Sequence, residues 1–462
     1  MRYISTRGKT PPQSFEDVLL AGLANDGGLF LPEAWPRIDA EEIASFADAP
    51  YADAAFRILS RFACNSFSAA ELKADIDAAY AAFDAPAIAP LVEIGPRLFL
   101  LELFHGPTLA FKDIAMQVLG RLFARALNKR GARVTVVAAT SGDTGSAAIA
   151  ALGGLPNIEV FVIHPKGRVS EVQRRQMTTD THANVHNIAL EGSFDDAQAI
   201  VKDLFADTDF ARRVHLTAVN SINFVRIAAQ CVYYFTAAAQ LRAVPVFVVP
   251  TGNFGDVFAG EAAMRMGLAV EKLVVATNAN DILARALHEG VYASGTAQAT
   301  LSPSMDIQVA SNFERALFEA SGRDAVWTEQ AMGEFAQTRS LQIPAAVLRN
   351  LRSRYEAQSC DDTETLAMMA ETHTRTGQLV DPHTAVGLVA AAKIAPGARG
   401  PVVVLSTAHP AKFPESVARA TGVSPPLPPR LKGLYEGEER VSVLPHDGAR
   451  VRAFIEARLA HP

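Results

Sequence analysis

Hydrophobic residues follow three successive patterns along the chain. Residues 14–90 are helical in spacing and acidic, and Ser68-Ala-Ala-Glu71 has the pattern of a capping box that opens a helix. From about residue 95, short β-branched runs alternate with alanine-rich helical stretches, which is typical of parallel βαβ units. The stretch 310–396 is again mostly helical, and Thr328 and Thr363 are its predicted helix caps.

Near-continuous apolar runs such as VFVVP and PVVVL mark the strands, because a parallel strand that is buried on both faces has no polar face. The predicted strands are 133–139, 160–164, 185–189, 246–250, 272–277 and 402–406. The sequence therefore predicts an α/β fold with mostly parallel sheets and an added helical N-terminal region.

Composition and charge narrow the choice of partner. The 462 residues are 49% hydrophobic and 20% charged, enough for a large core. With 43 basic and 49 acidic residues the net charge is −6, and no strongly basic block is present. This balance argues against nucleic acid or an anionic membrane as a partner, because both require a phosphate-neutralising surface.

The cysteines and the N-terminus indicate a cytoplasmic protein. Cys64, Cys231 and Cys360 are spaced singly, which argues against a disulfide framework and a thiolate zinc site. The first residues lack the apolar segment of a signal peptide. His105, His383 and His409 lack the helical spacing of a zinc motif, so we predict no catalytic metal.

A strand, a glycine-containing turn and a helix follow one another twice. The first turn comprises Thr140, Ser141, Gly142, Asp143 and Thr144, followed by Gly145, and the second comprises Gly252, Asn253, Phe254, Gly255 and Asp256. Each leaves backbone N–H groups free at a helix start, where an anion can bind. A glycine can also do no more than permit the turn, but two such turns favour two anionic groups. Neither turn has Walker A or dinucleotide-binding spacing.

Lys112 is the candidate nucleophile. It precedes a predicted helix over 114–127 and follows the apolar residues Leu109, Ala110 and Phe111. A helix start and partial burial both disfavour the ammonium form and leave a nucleophilic amine. One reactive lysine and two anion sites are the parts that a pyridoxal phosphate enzyme needs.

These motifs resemble one family, the threonine synthases, which belong to the tryptophan synthase β-like class of pyridoxal phosphate enzymes. The resemblance extends over almost the whole chain. The matching segments are 3–8 (YISTRG), 26–29 (DGGL), 105–113 (HGPTLAFKD), 140–145 (TSGDTG), 164–167 (HPKG), 220–223 (NSIN), 252–256 (GNFGD), 302–307 (SPSMDI), 311–315 (SNFER) and 407–412 (TAHPAK).

The resemblance implies a role for each motif. Lys112 carries pyridoxal phosphate as a Schiff base, residues 252–256 bind its phosphate, and Thr407 contacts its ring nitrogen. Residues 140–145 hold the substrate carboxylate. Related enzymes often carry asparagine where this chain has Asp143, so this aspartate either has a neutralising partner or serves another role.

The implied reaction converts O-phospho-L-homoserine and water to L-threonine and phosphate. Lys112 removes the α-proton and then transfers a β-proton, the γ-phosphate leaves, Cγ is reprotonated, and water then adds at Cβ. Candidates for holding the substrate phosphate are Lys166, Arg168 and Ser170 in a basic stretch, and Asn223 with Arg226. A solvated helix start would explain the basic stretch equally well, and a helix cap would explain Asn223.

The resemblance also implies two lobes. We predict a helical N-terminal region over 1–95, a larger cofactor-binding domain over 96–114 and 216–422, and a smaller mobile domain over 115–215. Residues 423–462 form a predicted linker and final helix, and the active site lies in the cleft between the lobes.

Three other functions are compatible with parts of the sequence. A phospholyase or a serine/threonine dehydratase would use the same scaffold and release an α-keto acid. A non-catalytic binding protein would not need Lys112. A phosphatase or kinase would bind nucleotide at the glycine turns.

Overall fold

Helices and strands alternate along the chain in a computed structural model that describes residues 1–85, 87–217 and 219–459. The strands are β1 (Tyr3–Ser5), β2 (Phe30–Pro32), β3 (Leu91–Gly95), β4 (Leu98–Glu102), β5 (Val134–Ala139), β6 (Ile158–Pro165), β7 (Val185–Glu191), β8 (Leu216–Thr217), β9 (Val246–Pro250), β10 (Lys272–Thr277), β11 (Val291–Ala293), β12 (Ser340–Gln342), β13 (Tyr355–Ser359), β14 (Val402–Ser406) and β15 (Ser442–Pro445). The helices are α1 (Phe15–Ala21), α2 (Ala40–Ser45), α3 (Tyr51–Ala63), α4 (Ala69–Tyr80), α5 (Lys112–Arg130), α6 (Asp143–Leu152), α7 (Glu171–Thr178), α8 (Phe194–Ala206), α9 (Thr208–Arg213), α10 (Phe224–Leu241), α11 (Gly255–Met266), α12 (Ile282–Glu289), α13 (Phe313–Ala320), α14 (Ala325–Thr338), α15 (Ala345–Arg354), α16 (Asp362–Thr376), α17 (Pro382–Ile394), α18 (Pro414–Thr421) and α19 (Gly448–Leu459). The last residues of the predicted C-terminal segment, 460–462, lie outside the described residues.

Two mostly parallel sheets organise the molecule. The larger has the order β13-β10-β9-β14-β4-β3 and is parallel except for the β3–β4 pair. The smaller has the order β15-β7-β6-β5-β8 and is parallel throughout. The α/β prediction is confirmed, and each of the six predicted strands lies in place with ends shifted by at most two residues. The proposed domain boundaries stay a prediction.

The central strand β9 shows why its sequence is apolar throughout. Phe247 and Val249 pack into one core, and Val246 and Val248 pack into a second core on the opposite face. Successive residues of a strand point to opposite faces, so both sets must be hydrophobic. The C-terminal end of this buried strand leads directly into the second glycine turn.

Helix caps agree only in part with the sequence prediction. Ser68 and Glu71 form the predicted capping box at the start of α4. The predictions for Thr328 and Thr363 are wrong, since both lie inside helices α14 and α16. Their caps are Asp324 and Asp361, whose carboxylates accept hydrogen bonds from backbone N–H groups of the first turn.

The C-terminal segment completes the smaller sheet. Strand β15 pairs in parallel with β7, and α19 packs against α8, where Val451 and Ile455 are fully buried. The sequence prediction of a linker and a helix near 447–459 omitted this edge strand. None of the described helices is long and apolar enough to cross a membrane.

Candidate active site

Lys112 is the first residue of α5, at the C-terminal edge of the larger sheet. The segment before it is held against the end of β14, because Phe111 N–H donates to the Thr407 carbonyl at 2.9 Å. The Lys112 side chain is 12% exposed, and its Nζ lies 3.2 Å from Asp143 Oδ2. Helix and sheet together therefore place this amine beside Asp143, at the start of α6.

Burial lowers the pKa of Lys112, and the nearby cations Lys412 and Arg226 lower it further. Asp143 acts in the opposite direction by stabilising the ammonium form. The net direction is downward, so the structure favours the reactive amine that the sequence predicts.

The first glycine turn is stabilised by hydrogen bonds to one of its own side chains. Thr140 Oγ1 accepts hydrogen bonds from the backbone N–H groups of Gly142 and Gly145, both at 2.9 Å. Ser141 and Thr144 remain partly exposed, and α6 begins directly after Gly142. Thr140 thus shapes the turn, while the hydroxyl groups beside it and the helix start can contact an anion.

The second glycine turn is closely packed. A methyl group at Gly252 would lie 2.6 Å from the Ser304 carbonyl oxygen. The Asn253 carbonyl accepts two hydrogen bonds from Asn312, and Phe254 is left-handed, with φ 65°. The turn then enters α11 at Gly255, so its N–H groups are presented at a helix start.

Asp256 points from this second turn toward α10. It accepts hydrogen bonds from the hydroxyl groups of Tyr233 and Tyr234, while its Oδ2 is buried and has no partner among the described residues. Burial raises the pKa of Asp256 to about 6. The Asp256 side chain therefore binds the two tyrosine hydroxyl groups in the protein interior, while its backbone forms part of the second glycine turn.

Asp143, the first residue of α6, contacts residues that are distant in sequence. Its Oδ1 accepts from Lys412 Nζ at 2.7 Å and from Gln173 Nε2 at 2.8 Å. Its Oδ2 accepts from Ser304 Oγ at 3.0 Å, besides the contact to Lys112. Burial alone would raise the pKa of Asp143, but Lys412 and Lys112 hold it well below its ordinary value.

The other predicted site residues lie in different surroundings. Thr407 is buried directly after β14. Lys166 is half exposed and pairs with Glu191 at 3.0 Å, and Arg168 is exposed. Ser170 caps α7 and donates to the Lys412 carbonyl at 3.1 Å, so it contacts the turn that follows β14.

Arg226 and Asn223 differ although they are close in sequence. The Asn223 side chain caps α10 and donates to the Leu19 carbonyl at 2.9 Å. Arg226 is 4% exposed, and its Nε and Nη1 have no hydrogen-bond partner among the described residues. A buried guanidinium without a carboxylate is suited to bind an anion.

Sequence reasoning gave no role to three residues that the site contains. Lys412 is fully buried, and Ser304 Oγ reaches Asp143. His383 Nε2 accepts from Ser304 N–H at 3.2 Å. Ser304 and Lys412 lie within the matching segments 302–307 and 407–412, but no local pattern assigned a role to either residue. Among the described residues, no group of three or more His, Cys, Asp or Glu side chains could hold a metal ion.

Three family descriptions match consecutive parts of the chain. Residues 2–80 match "Threonine synthase N terminus", residues 83–343 match "Pyridoxal-phosphate dependent enzyme", and residues 384–455 match "Threonine synthase, C-terminal". The second of these matches contains Lys112 and both glycine turns.

Full-length relatives agree with these matches. The chain is 50% identical to a threonine synthase of Pseudomonas aeruginosa, with 98% of each chain covered. It is 38% identical to a threonine synthase of Saccharomyces cerevisiae, with 99% of this chain and 98% of the relative covered. The solved structure of a pyridoxal phosphate-bound threonine synthase from Brucella melitensis is 47% identical, with a TM-score of 0.97 and 99% of each chain covered.

Proposed function

The chain belongs to the threonine synthase family of pyridoxal phosphate-dependent enzymes, and from this membership we propose that it converts O-phospho-L-homoserine and water to L-threonine and phosphate. The observation that carries the choice of substrate is the unpartnered, buried Arg226 beside Lys112. A substrate phosphate supplies the anion that this guanidinium lacks within the described residues.

The residues of the site fit pyridoxal phosphate. Lys112 provides the primary amine for the covalent link, and Gly252 leaves the second turn too tight for any side chain. The N–H groups at the start of α11 suit its phosphate, and Thr407 suits its ring nitrogen. When bound, pyridoxal phosphate supplies an electron sink that acidifies the substrate Cα–H bond.

We assign the proton transfers to Lys112. With its ammonium disfavoured by burial, Nζ can take a proton from substrate Cα and then one from Cβ, and can return protons at later steps. Its place at the start of α5 puts the amine within charge interaction of both glycine turns.

We assign the substrate carboxylate to the first turn and the substrate phosphate to Arg226. Ser141, Thr144 and the start of α6 offer donors to a carboxylate, with Thr140 as a brace. The surface positions of Lys166 and Arg168 favour Arg226 over the basic stretch as the phosphate ligand.

Water has to be excluded until the phosphate has left, because early hydrolysis would compete with the addition at Cβ. Asp143 of the smaller lobe touches Lys412 and Ser304 of the larger lobe. These contacts support a cleft that closes over the substrate.

The decisive assay supplies purified holoenzyme with O-phospho-L-homoserine and follows threonine, phosphate and 2-oxobutyrate. Threonine and phosphate in equal amounts support the proposal. Accumulation of 2-oxobutyrate in place of threonine would identify the phospholyase or dehydratase alternative.

A second experiment tests the covalent site. Borohydride treatment followed by peptide mass spectrometry is expected to find the pyridoxyl group on Lys112. Lys112→Ala should lose both the adduct and activity, whereas Lys432→Ala, which changes an exposed lysine, should keep them. An adduct on another residue would refute the assignment.

A further inference from the structure

Lys412 is a second lysine of the site, and the proposed reaction gives it no role. Its side chain is fully buried, and it ends a 3-10 turn, Pro410–Lys412, that follows β14. Its Nζ lies 2.7 Å from Asp143 Oδ1 and donates to the Thr108 carbonyl at 2.8 Å. A fully buried ammonium requires such partners, because an unpaired charge is costly inside a protein.

The two oxygens of Asp143 are divided between the two lysines. Oδ1 receives Lys412 and Gln173, and Oδ2 receives Lys112 and Ser304. The contact to Lys412 is the shorter of the two ion pairs, at 2.7 Å against 3.2 Å. The carboxylate is therefore neutralised mainly at Oδ1, by Lys412.

Without Lys412, the charge of Asp143 would act on Lys112 alone. A buried one-to-one ion pair would favour the protonated form of the Lys112 nitrogen and oppose its use as a base. We propose that Lys412 is a positioning residue that neutralises Asp143 and holds it against Ser304, so that the Lys112 nitrogen is not locked in a protonated ion pair. This inference rests on the proposed function, because it concerns the same amine.

Other charged groups lie around Lys112 and Asp143. Arg226 on α10 disfavours its ammonium form, and Asp256 on α11 is close enough to interact with it. Asp113, the next residue, is buried and held by Thr108, whose N–H and hydroxyl both donate at 2.7 Å. His383 lies close enough to Asp143 for a charge interaction. Substitutions at Lys412 and Asp143 leave these groups in place.

The test is a pH titration of the visible absorbance band of the holoenzyme, which reports protonation of the link on Lys112. Lys412→Met leaves an unneutralised carboxylate and should raise the midpoint by about one pH unit or more, an approximately tenfold gain in proton affinity. Asp143→Asn leaves an unneutralised ammonium and should lower the midpoint. The double variant removes both charges and should return it toward the wild-type value.

Lys432→Met is the matched control, since Lys432 is exposed, and it should leave the midpoint unchanged. If Lys412→Met does not fold, Asp143→Asn is compared with the double variant, whose midpoint should be the higher of the two. Shifts of both single variants in the same direction, or no shift in either, would overturn the inference. Borohydride trapping on Lys112 in the same wild-type sample separates that outcome from failure of the proposed function.

Discussion

The α-carbon of Gly252 lies against the carbonyl group of Ser304, and a methyl group added there would come within 2.6 Å of the carbonyl oxygen. Ser304 also donates its hydroxyl to Asp143, at 3.0 Å. One serine therefore contacts both glycine turns, at Gly252 and at Asp143.

Gly252→Ala is expected to weaken cofactor binding. The turn would have to move away from Ser304, which displaces the N–H groups proposed to hold the cofactor phosphate. We expect the dissociation constant of pyridoxal phosphate to rise about tenfold or more, a change of at least about 1.4 kcal/mol. Spectroscopic titration of the apoenzyme with pyridoxal phosphate measures it.

Gly333→Ala provides the control for that substitution. Gly333 lies inside α14, and an added methyl group would meet no atom within 4 Å apart from the adjacent backbone of its own helix. Alanine should be neutral or stabilise the helix by up to about 1 kcal/mol, without effect on cofactor binding. Equal affinities for Gly252→Ala and wild type would contradict the close packing of the turn.

Arg226→Met is expected to weaken substrate binding without lowering the stability of the protein. Loss of a charge-assisted contact to the substrate phosphate should raise KM about 10- to 100-fold. The thermal midpoint without substrate should stay equal or rise, because an unpartnered buried charge is removed. Steady-state kinetics and thermal unfolding measure the two effects.

Arg212→Met serves for comparison, because the Arg212 side chain is 80% exposed. Its KM and thermal midpoint should match the wild type. A fall in the stability of Arg226→Met with an unchanged KM would indicate that Arg226 has a structural role.

Asp256 should make stability depend on pH. Its pKa is raised from 3.8 to about 6 in the folded protein, so its neutral form is favoured there. Well below pH 4 the carboxyl is neutral in both states and does not affect stability. As pH rises from about 4 to 6, the carboxyl ionises in the unfolded state but stays neutral in the folded state, and the folded protein loses about 3 kcal/mol of stability.

Asp256→Asn lacks this ionisation, so its stability relative to wild type should increase between pH 4 and 7. Unfolding of both apoproteins at several pH values measures the difference. Asp209→Asn, at a side chain that is 87% exposed, is the control and should follow the wild type. Parallel curves for Asp256→Asn and wild type would exclude a raised pKa.

Ile455→Ala should destabilise the smaller lobe although Ile455 lies near the C-terminal end of the described chain. Its side chain is fully buried in a core with Phe161 and Ile188. Removal of three carbon atoms should cost about 2–4 kcal/mol. Hydrogen exchange of the β7 amides should accelerate accordingly.

Val443→Ala, on the neighbouring strand β15, tests whether burial is the cause. Val443 is 49% exposed, so the change should cost no more than about 0.5 kcal/mol. Equal exchange rates in the two variants would show that α19 does not support the smaller sheet.

Much of the architecture could be predicted because its signals are local. The six strands were visible as apolar runs, and Lys112 was visible at a helix start. Strand β15 was missed, because SVLP is short and lies at a sheet edge, where half-exposed residues give a weak pattern. The caps at Asp324 and Asp361 were missed because a threonine that also fits a cap lies shortly after each aspartate in the sequence, at Thr328 and Thr363.

In the site too, local features could be predicted from the sequence and contacts between distant segments could not. The two glycine turns, the lysine and the family resemblance could be predicted, since each depends on neighbours along the chain. The ion pair of Lys412 with Asp143, the cap formed by Asn223 and the absence of a partner for Arg226 among the described residues became visible only in the folded protein. A buried charge is stabilised by atoms within about 3 Å, and these atoms come from segments far apart in sequence.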